Sequence, residues 1–249
     1  MYNFIHCEQQ LKQFCQQILP PLEKDEVIVL FLKARKKYAS ELSSDKLLQR
    51  RVIKNYKLFM PKLKQFNCQI GSYQDNDEKN IPQNACVIYC TVNPCSTLTA
   101  TKNLISLYSE YLFNLVKKPD QWSNILRIYS TTANKIQSSR ARKYYIDIDF
   151  DVVDKTLGKK YVQRFLDVIS EVHHHIIETR GGYHILLLRS SLTPEIGRKM
   201  HQKTHILDSE GKKELGDKFE VIINPETTIP VPGTKQGGFA VRIIDSLDK

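Results

Sequence analysis

The stretch YYIDIDFD, residues 144–151, places Asp147, Asp149 and Asp151 at every second position, between Ile146, Ile148 and Phe150. In an extended strand this spacing sends the carboxylates to one face and the apolar side chains to the other. Like charges so close repel one another unless a cation sits between them. A donor set made only of oxygens suits Mg²⁺ or Mn²⁺. An acidic edge strand facing solvent would give the same pattern, as would the DxD of an enzyme acting on nucleotide-sugars. The chemistry therefore depends on what the rest of the chain brings to this face.

Two further segments carry candidate partners. In TRGGYHILLL, Gly181 and Gly182 permit a tight turn and a close backbone approach. His184 lies 37 residues after Asp147, on a strand expected to lie beside the first. From there its imidazole would reach a phosphate, and Arg180 would add charge-assisted contacts. His173, His174 and His175 lack partners at ligand spacing and receive no role. In GDKFEVIINPETTIPVPGTKQGGFAVRII, Glu220 opens an apolar strand and is a candidate third carboxylate, with Asp217 its competitor. The Pro232-Gly233-Thr234-Lys235 turn offers backbone N–H groups, a hydroxyl and an ammonium to phosphates, although Gly-rich turns are common.

These segments need a scaffold, and the chain's periodicity supplies one. Residues 155–171 form an amphipathic helix with Leu157, Tyr161, Phe165, Leu166, Ile169 and Val172 inward. HHHIIET (173–179) and YHILLLR are strands joined by the Gly-Gly turn. A helix runs from Pro194 to about His205, since Pro suits the first helical turn. FEVIINP and FAVRII are strands. The order β-α-β-β-α-β is that of an RRM-like, split βαβ unit.

Upstream, a helix over 8–19 is stopped by Pro20 and Pro21. VIVLFL (27–32) is a strand or the start of a buried helix, and the basic segment after it is partly helical. Residues 71–85 are a loop, 86–92 a strand, and 97–117 a helix started by Ser96 or Thr97. Residues 131–143 are polar and basic and would link two lobes. The fold class is therefore α+β: an N-terminal α/β lobe over 1–140 and a C-terminal lobe over 141–249.

Composition narrows the partners. The formal net charge is +10, and between residues 33 and 64 eleven basic residues stand against two acidic ones. Such a patch is the footprint expected of a polyanion binder, or else a solvated helical face. It makes Lys33, Arg35, Lys36, Lys37, Arg50, Arg51 and Lys54 candidate nucleic-acid contacts. No run of about 18 apolar residues occurs, so no membrane span is expected. Six cysteines are too few for a disulfide scaffold, and a reducing cytoplasmic or nuclear compartment is expected. Cys86, Cys90 and Cys95 lack CxxC spacing and are expected to pack rather than to ligate zinc.

Taken in order, IDID (146–149), GYH (182–184), FE (219–220) and PGT (232–234) resemble the motifs of the archaeo-eukaryotic primase superfamily. The firm resemblance covers about residues 144–242. It implies a primase-polymerase core built of an N-terminal α/β lobe and the RRM-like unit. In it Asp147, Asp149 and Glu220 bind two divalent ions, Mg²⁺ or Mn²⁺. His184 and Arg180 hold the phosphates of a nucleoside triphosphate, Thr234 offers its hydroxyl to them, and Lys235 and Arg242, beyond the PGT turn, reach the triphosphate or template. The implied reaction is attack of a 3′-hydroxyl on an α-phosphate with release of pyrophosphate, on a DNA or RNA template and primer, in replication or repair. No zinc element and no fused helicase or large-subunit segment is visible, so either initiation would need a partner, such as a helicase or accessory subunit, or the enzyme would only extend ends. The alternative is a catalytically silent nucleic-acid-binding subunit on the same fold.

Overall fold

In the computed structural model, residues 1–75, 78–117, 127–152, 154–224, 227–245 and 247 are described. The end of the FEVIINP strand at Pro225, and residues 76–77 of the 71–85 loop, lie outside them. The chain is a mixed α and β structure with two large antiparallel sheets.

The first sheet is built mainly from the N-terminal half. It contains β1 (Glu26–Ala34), β2 (Lys46–Ile53), β3 (Cys86–Thr91) and the short β4 (Cys95–Ser96). β1 lies at its centre, antiparallel to β2, β3 and β4. The two faces of β1 bury different sets. Ile28, Leu30 and Leu32 enter the main core, with Phe14 and Ile18 from the N-terminal helix and Phe59 and Leu63 from α2 (Phe59–Lys64). Val29 and Phe31 face the other way, with Val87 and Tyr89. The N-terminal helix is α1 (Glu8–Gln13), continued by a π-helical turn, Phe14–Ile18, and it stops before Pro20.

The basic segment is less helical than expected. Residues 46–53 pair with β1 apart from a register shift at Leu48, and only the 36–38 and 56–64 stretches are helical. The strand was hidden because β2 is half-buried along most of its length, so no clear alternation of polar and apolar residues marks it. α3 (Thr97–Lys117) begins as expected, its Ser96 Oγ accepting from the Thr99 N–H at 3.0 Å. The expected linker over 131–143 is instead mostly helix, α4 (Ile128–Ser138), packed against α3.

The second sheet follows the β-α-β-β-α-β order. β5 (Tyr145–Asp151) leads to α5 (Lys155–Leu166), β6 (His174–Glu178), β7 (Gly182–Leu188), α6 (Pro194–Leu215) and β8 (Glu220–Asn224). α5 is capped by Asp154, whose carboxylate accepts from the Thr156 and Leu157 N–H groups. α6 is capped by Thr193, with Pro194 in its first turn, and runs ten residues past His205 to a positive-φ glycine, Gly216. The spatial order is β12-β6-β7-β5-β8, where β12 is Arg242–Ile244. One face carries Ile148, Phe150, Tyr183 and Ile185 into a core with α5 and α6. The other turns toward the first sheet, where Ile177 and Leu186 join the main core.

Two features fasten the sheets together. β9 (Thr228–Pro230), which the sequence did not reveal, pairs antiparallel with β3, so a strand from the last quarter of the chain completes the first sheet. Asn93 is buried between them: its Oδ1 accepts from the Tyr144 and Tyr145 N–H groups, and its Nδ2 donates to the Tyr145 carbonyl and Thr227 Oγ1. All its hydrogen-bonding capacity is spent fixing the start of β5 against the end of β3. The small hairpin β10 (Lys235–Gln236) and β11 (Phe239–Ala240) leads into β12. Among the described residues no helix is long and apolar enough to cross a membrane.

Candidate active site

β5 is the central strand of the carboxylate face. β7 pairs with it so that His184 stands opposite Asp149, and β8 pairs on its other side so that Asn224 stands opposite Asp147 and Glu220 opposite Asp151. Residues directly opposite in an antiparallel pair share a face. The sheet therefore gathers Asp147, Asp149, Asp151, His184, Asn224 and Glu220 on one side, as period two requires.

Burial separates their roles. Asp147 is fully buried. It accepts from His184 Nδ1 at 3.1 Å and from Asn224 Nδ2 at 2.8 Å, which is how a buried carboxylate is tolerated. Asp149 keeps about a quarter of its side chain open (24%) and lies 3.7 Å from His184 Nε2. Burial, together with repulsion from Asp147 and Asp151, raises the Asp149 carboxyl to about 6, against the opposing pull of His184 and Lys37. For His184, burial pushes toward the neutral ring, but the charges of Asp149 and Asp147 outweigh it and hold the imidazole at about 9. The neighbouring carboxylates therefore favour the protonated ring over the neutral one.

Across from the carboxylates stands a cationic wall. A cleft of about 420 Å³ has Asp149, Asp151, His184 and Asn224 on one side and Lys33, Arg35, Lys37 and Tyr89 on the other. Arg35 is fixed by Asp45 at 2.7 Å and by the Tyr89 hydroxyl at 2.6 Å. An adjoining hollow of about 410 Å³ shares Lys37, Asp151 and Gly181 with the cleft and adds Arg180, Asp217 and Glu220. The Gly181-Gly182 turn lies between the two. From the opposite face of the sheet Lys155 donates to the Thr179 and Gly182 carbonyls, bracing the turn from behind.

The sequence-derived candidates divide accordingly. Asp149 and His184 meet in the cleft, with Asp147 beneath them. Glu220 is on the carboxylate face but opposite Asp151, one pair removed from Asp149, and it opens into the adjoining hollow with Asp217. Arg180 also belongs to that hollow: its guanidinium lies over the Tyr38 ring at 4.6 Å and donates to the Gly237 carbonyl. Lys33, Arg35 and Lys37 line the cleft rather than a distant patch. Arg50 and Arg51 face a separate groove, whereas Lys36 and Lys54 are exposed to solvent.

Two candidates, Thr234 and Arg242, are corrected, and a third, Lys235, lies outside both spaces. Thr234 offers no hydroxyl to a ligand, because it is fully buried and donates to the Val231 carbonyl at 2.7 Å. Its neighbour Lys235 lines neither the cleft nor the adjoining hollow, and its backbone N–H donates to the Phe4 carbonyl. Arg242 is on the wrong face. Its register partner is Glu178, which it also pairs at 2.6 Å, and Glu178 stands opposite Tyr183, so Arg242 points to the α5 side. The alternation in VRI already implied this, since Val241 and Ile243 enter the main core.

Residues without a sequence signal complete the site. Asn224 tethers Asp147. Gln236 accepts from the Arg180 N–H and donates to the Tyr38 hydroxyl, tying the β10–β11 hairpin to the turn. Cys86 and Cys90 are buried in the main core and Cys95 in the smaller one, all as free thiols. Among the described residues no three His, Cys, Asp or Glu side chains are already drawn together at metal-ligand spacing. No family model, curated protein or solved structure matches the chain.

Proposed function

We propose that the chain is a metal-dependent nucleotidyltransferase of the archaeo-eukaryotic primase kind, a primase or primase-polymerase that makes or extends a nucleic-acid primer. The observation that carries this reading is the meeting of Asp149 and His184 on paired strands, over the buried Asp147, across a cleft from Lys33, Arg35 and Lys37. A binding module has no reason to bury carboxylates in a groove meant for polyanions. A site for a triphosphate with its cations needs both signs of charge, one wall for the metals and one for the phosphates. The cleft is also within the size range of small-ligand pockets.

The donor chemistry fits Mg²⁺ or Mn²⁺. Asp149 and Asp151 present oxygens to the cleft, and Asp147 would join them by giving up a hydrogen bond. Ions held there would neutralise charge on the phosphates and activate the attacking oxygen. The chain's own residues do the rest. Lys33 and Lys37 attract the phosphates, and Arg35 is pre-positioned by Asp45 and Tyr89. His184 Nε2 faces the same space, 3.7 Å from Asp149. Glu220 in the adjoining hollow is too far along the strand to share an ion with Asp147. It is instead a neighbour of Asp151.

Primer extension with Mn²⁺ or Mg²⁺ and labelled nucleotides tests the reading. Asp149→Ala is expected to lower extension by about a hundred-fold or more while leaving oligonucleotide binding intact. Failure of the unmodified protein to extend or synthesise primers over a range of templates and metals would favour the silent subunit. The tethering of Asp147 by His184 and Asn224 favours that second reading, because a carboxylate already satisfied by N–H donors is less available to a cation.

A further inference from the structure

A groove separate from the carboxylate cleft runs between β2 and α4. It encloses about 500 Å³, and Arg50, Lys135 and Arg140 line it together with neutral polar side chains and no carboxylate. None of these three cations is ion-paired among the described residues. Arg50 is nonetheless ordered, its Nε donating to Gln137 on α4 at 3.1 Å. Three cations concentrated without acidic partners attract a polyanion, which gains by releasing the counterions they otherwise share.

Continuity gives the groove direction. Thr228, on β9, lines both this groove and the carboxylate cleft, so the two adjoin there. At its far end Arg50 also lines a smaller hollow of about 320 Å³ that contains Arg51 and Tyr129. Tyr129 is 82% exposed, at the start of α4. An aromatic ring left open beside a row of cations is the arrangement that holds unpaired bases, since base–aromatic stacking adds to phosphate contacts without requiring a sequence.

We infer that the β2–α4 groove seats one single strand of nucleic acid, its phosphates on Arg50, Lys135 and Arg140 and a base on Tyr129, and that the strand passes over Thr228 into the cleft. The inference deepens the nucleotidyltransferase reading, on which it rests for the strand's role as template but not for its binding. α4, which looks like a linker in sequence, becomes one wall of the track.

The test is fluorescence anisotropy with a labelled DNA or RNA oligonucleotide of about twenty nucleotides, without metal or nucleotide, over a range of salt. Replacing Arg50, Lys135 and Arg140 together by Ala is expected to reduce the slope of log K against log salt by about 2, from three phosphate contacts at about 0.7 each. The Lys135→Ala, Arg140→Ala pair leaves Arg50 and its Gln137 bond in place and is expected to produce about two-thirds of that change. Tyr129→Ala is expected to weaken binding about ten-fold at unchanged slope. Melting curves and Mn²⁺–nucleotide affinity should stay those of the unmodified protein. Unchanged oligonucleotide affinity and slope in these variants would overturn the inference. So would duplex DNA or polyglutamate competing as well as the single strand. Loss of primer extension in every assay, with these binding effects intact, would sink the enzymatic reading and leave the track standing.

Discussion

Two glycine turns in this chain have similar composition and opposite uses. Gly181-Gly182 lies between the carboxylate cleft and its adjoining hollow, and β7 leaves it carrying His184. The Pro232-Gly233-Thr234 turn faces inward. The Gly233 carbonyl accepts from the His6 and Cys7 N–H groups, so it anchors the N-terminus. What differs is the neighbour, not the turn. The first passes close to the β5 backbone at the edge of an open space, and the second is packed under α1. Small residues record that something comes near. They do not record whether it is a ligand or the chain itself.

The sharpest way to separate the two is to add a methyl group to each. At Gly182 a Cβ would meet the Phe150 carbonyl oxygen at 1.7 Å, a backbone contact with nowhere to go. Gly182→Ala is expected to cost about 3 kcal/mol or more, seen in chemical denaturation, and to abolish Mn²⁺–nucleotide binding as β5 and β7 separate. Gly233 has φ of 85°, and a Cβ there would approach the Cys7 carbonyl at 2.5 Å and Leu11 Cγ at 2.8 Å. Gly233→Ala is expected to cost about 1–3 kcal/mol, loosening the N-terminal helix in hydrogen exchange while nucleotide affinity is kept. The smallest effect is expected from Thr234→Val, about 1 kcal/mol for the lost hydrogen bond to Val231, with nucleotide affinity unchanged by titration. If Gly233→Ala or Thr234→Val weakened nucleotide binding as much as Gly182→Ala, the division of labour between the turns would be wrong.

The same contrast explains what could be read from the sequence. The carboxylate strand, the Gly-Gly hairpin and His184 were legible because they obey local rules: period two, turn chemistry, and a strand pairing fixed by a short connection. Thr234 was misplaced because its turn chemistry is sound but its orientation depends on α1, more than two hundred residues earlier. Arg242 is close to the PGT turn in sequence, but the parity of VRI puts it on the other face of the strand. Asn224, Gln236 and Tyr89 left no trace, since amides and phenols occur on any surface and acquire meaning only from their partners. β2 escaped because its basic residues mask a strand, and Arg50 is legible as part of a groove only once α4 is known to lie beside it.

The pairing of β9 with β3 has a consequence for how the molecule comes into being. The N-terminal half cannot finish its own sheet while it emerges from the ribosome. The edge of β3 stays open until residues 228–230 have been synthesised, and an open edge is a template for pairing with another chain. Production of the first 140 residues alone is therefore expected to yield aggregates, recoverable when the remainder of the polypeptide is supplied alongside it.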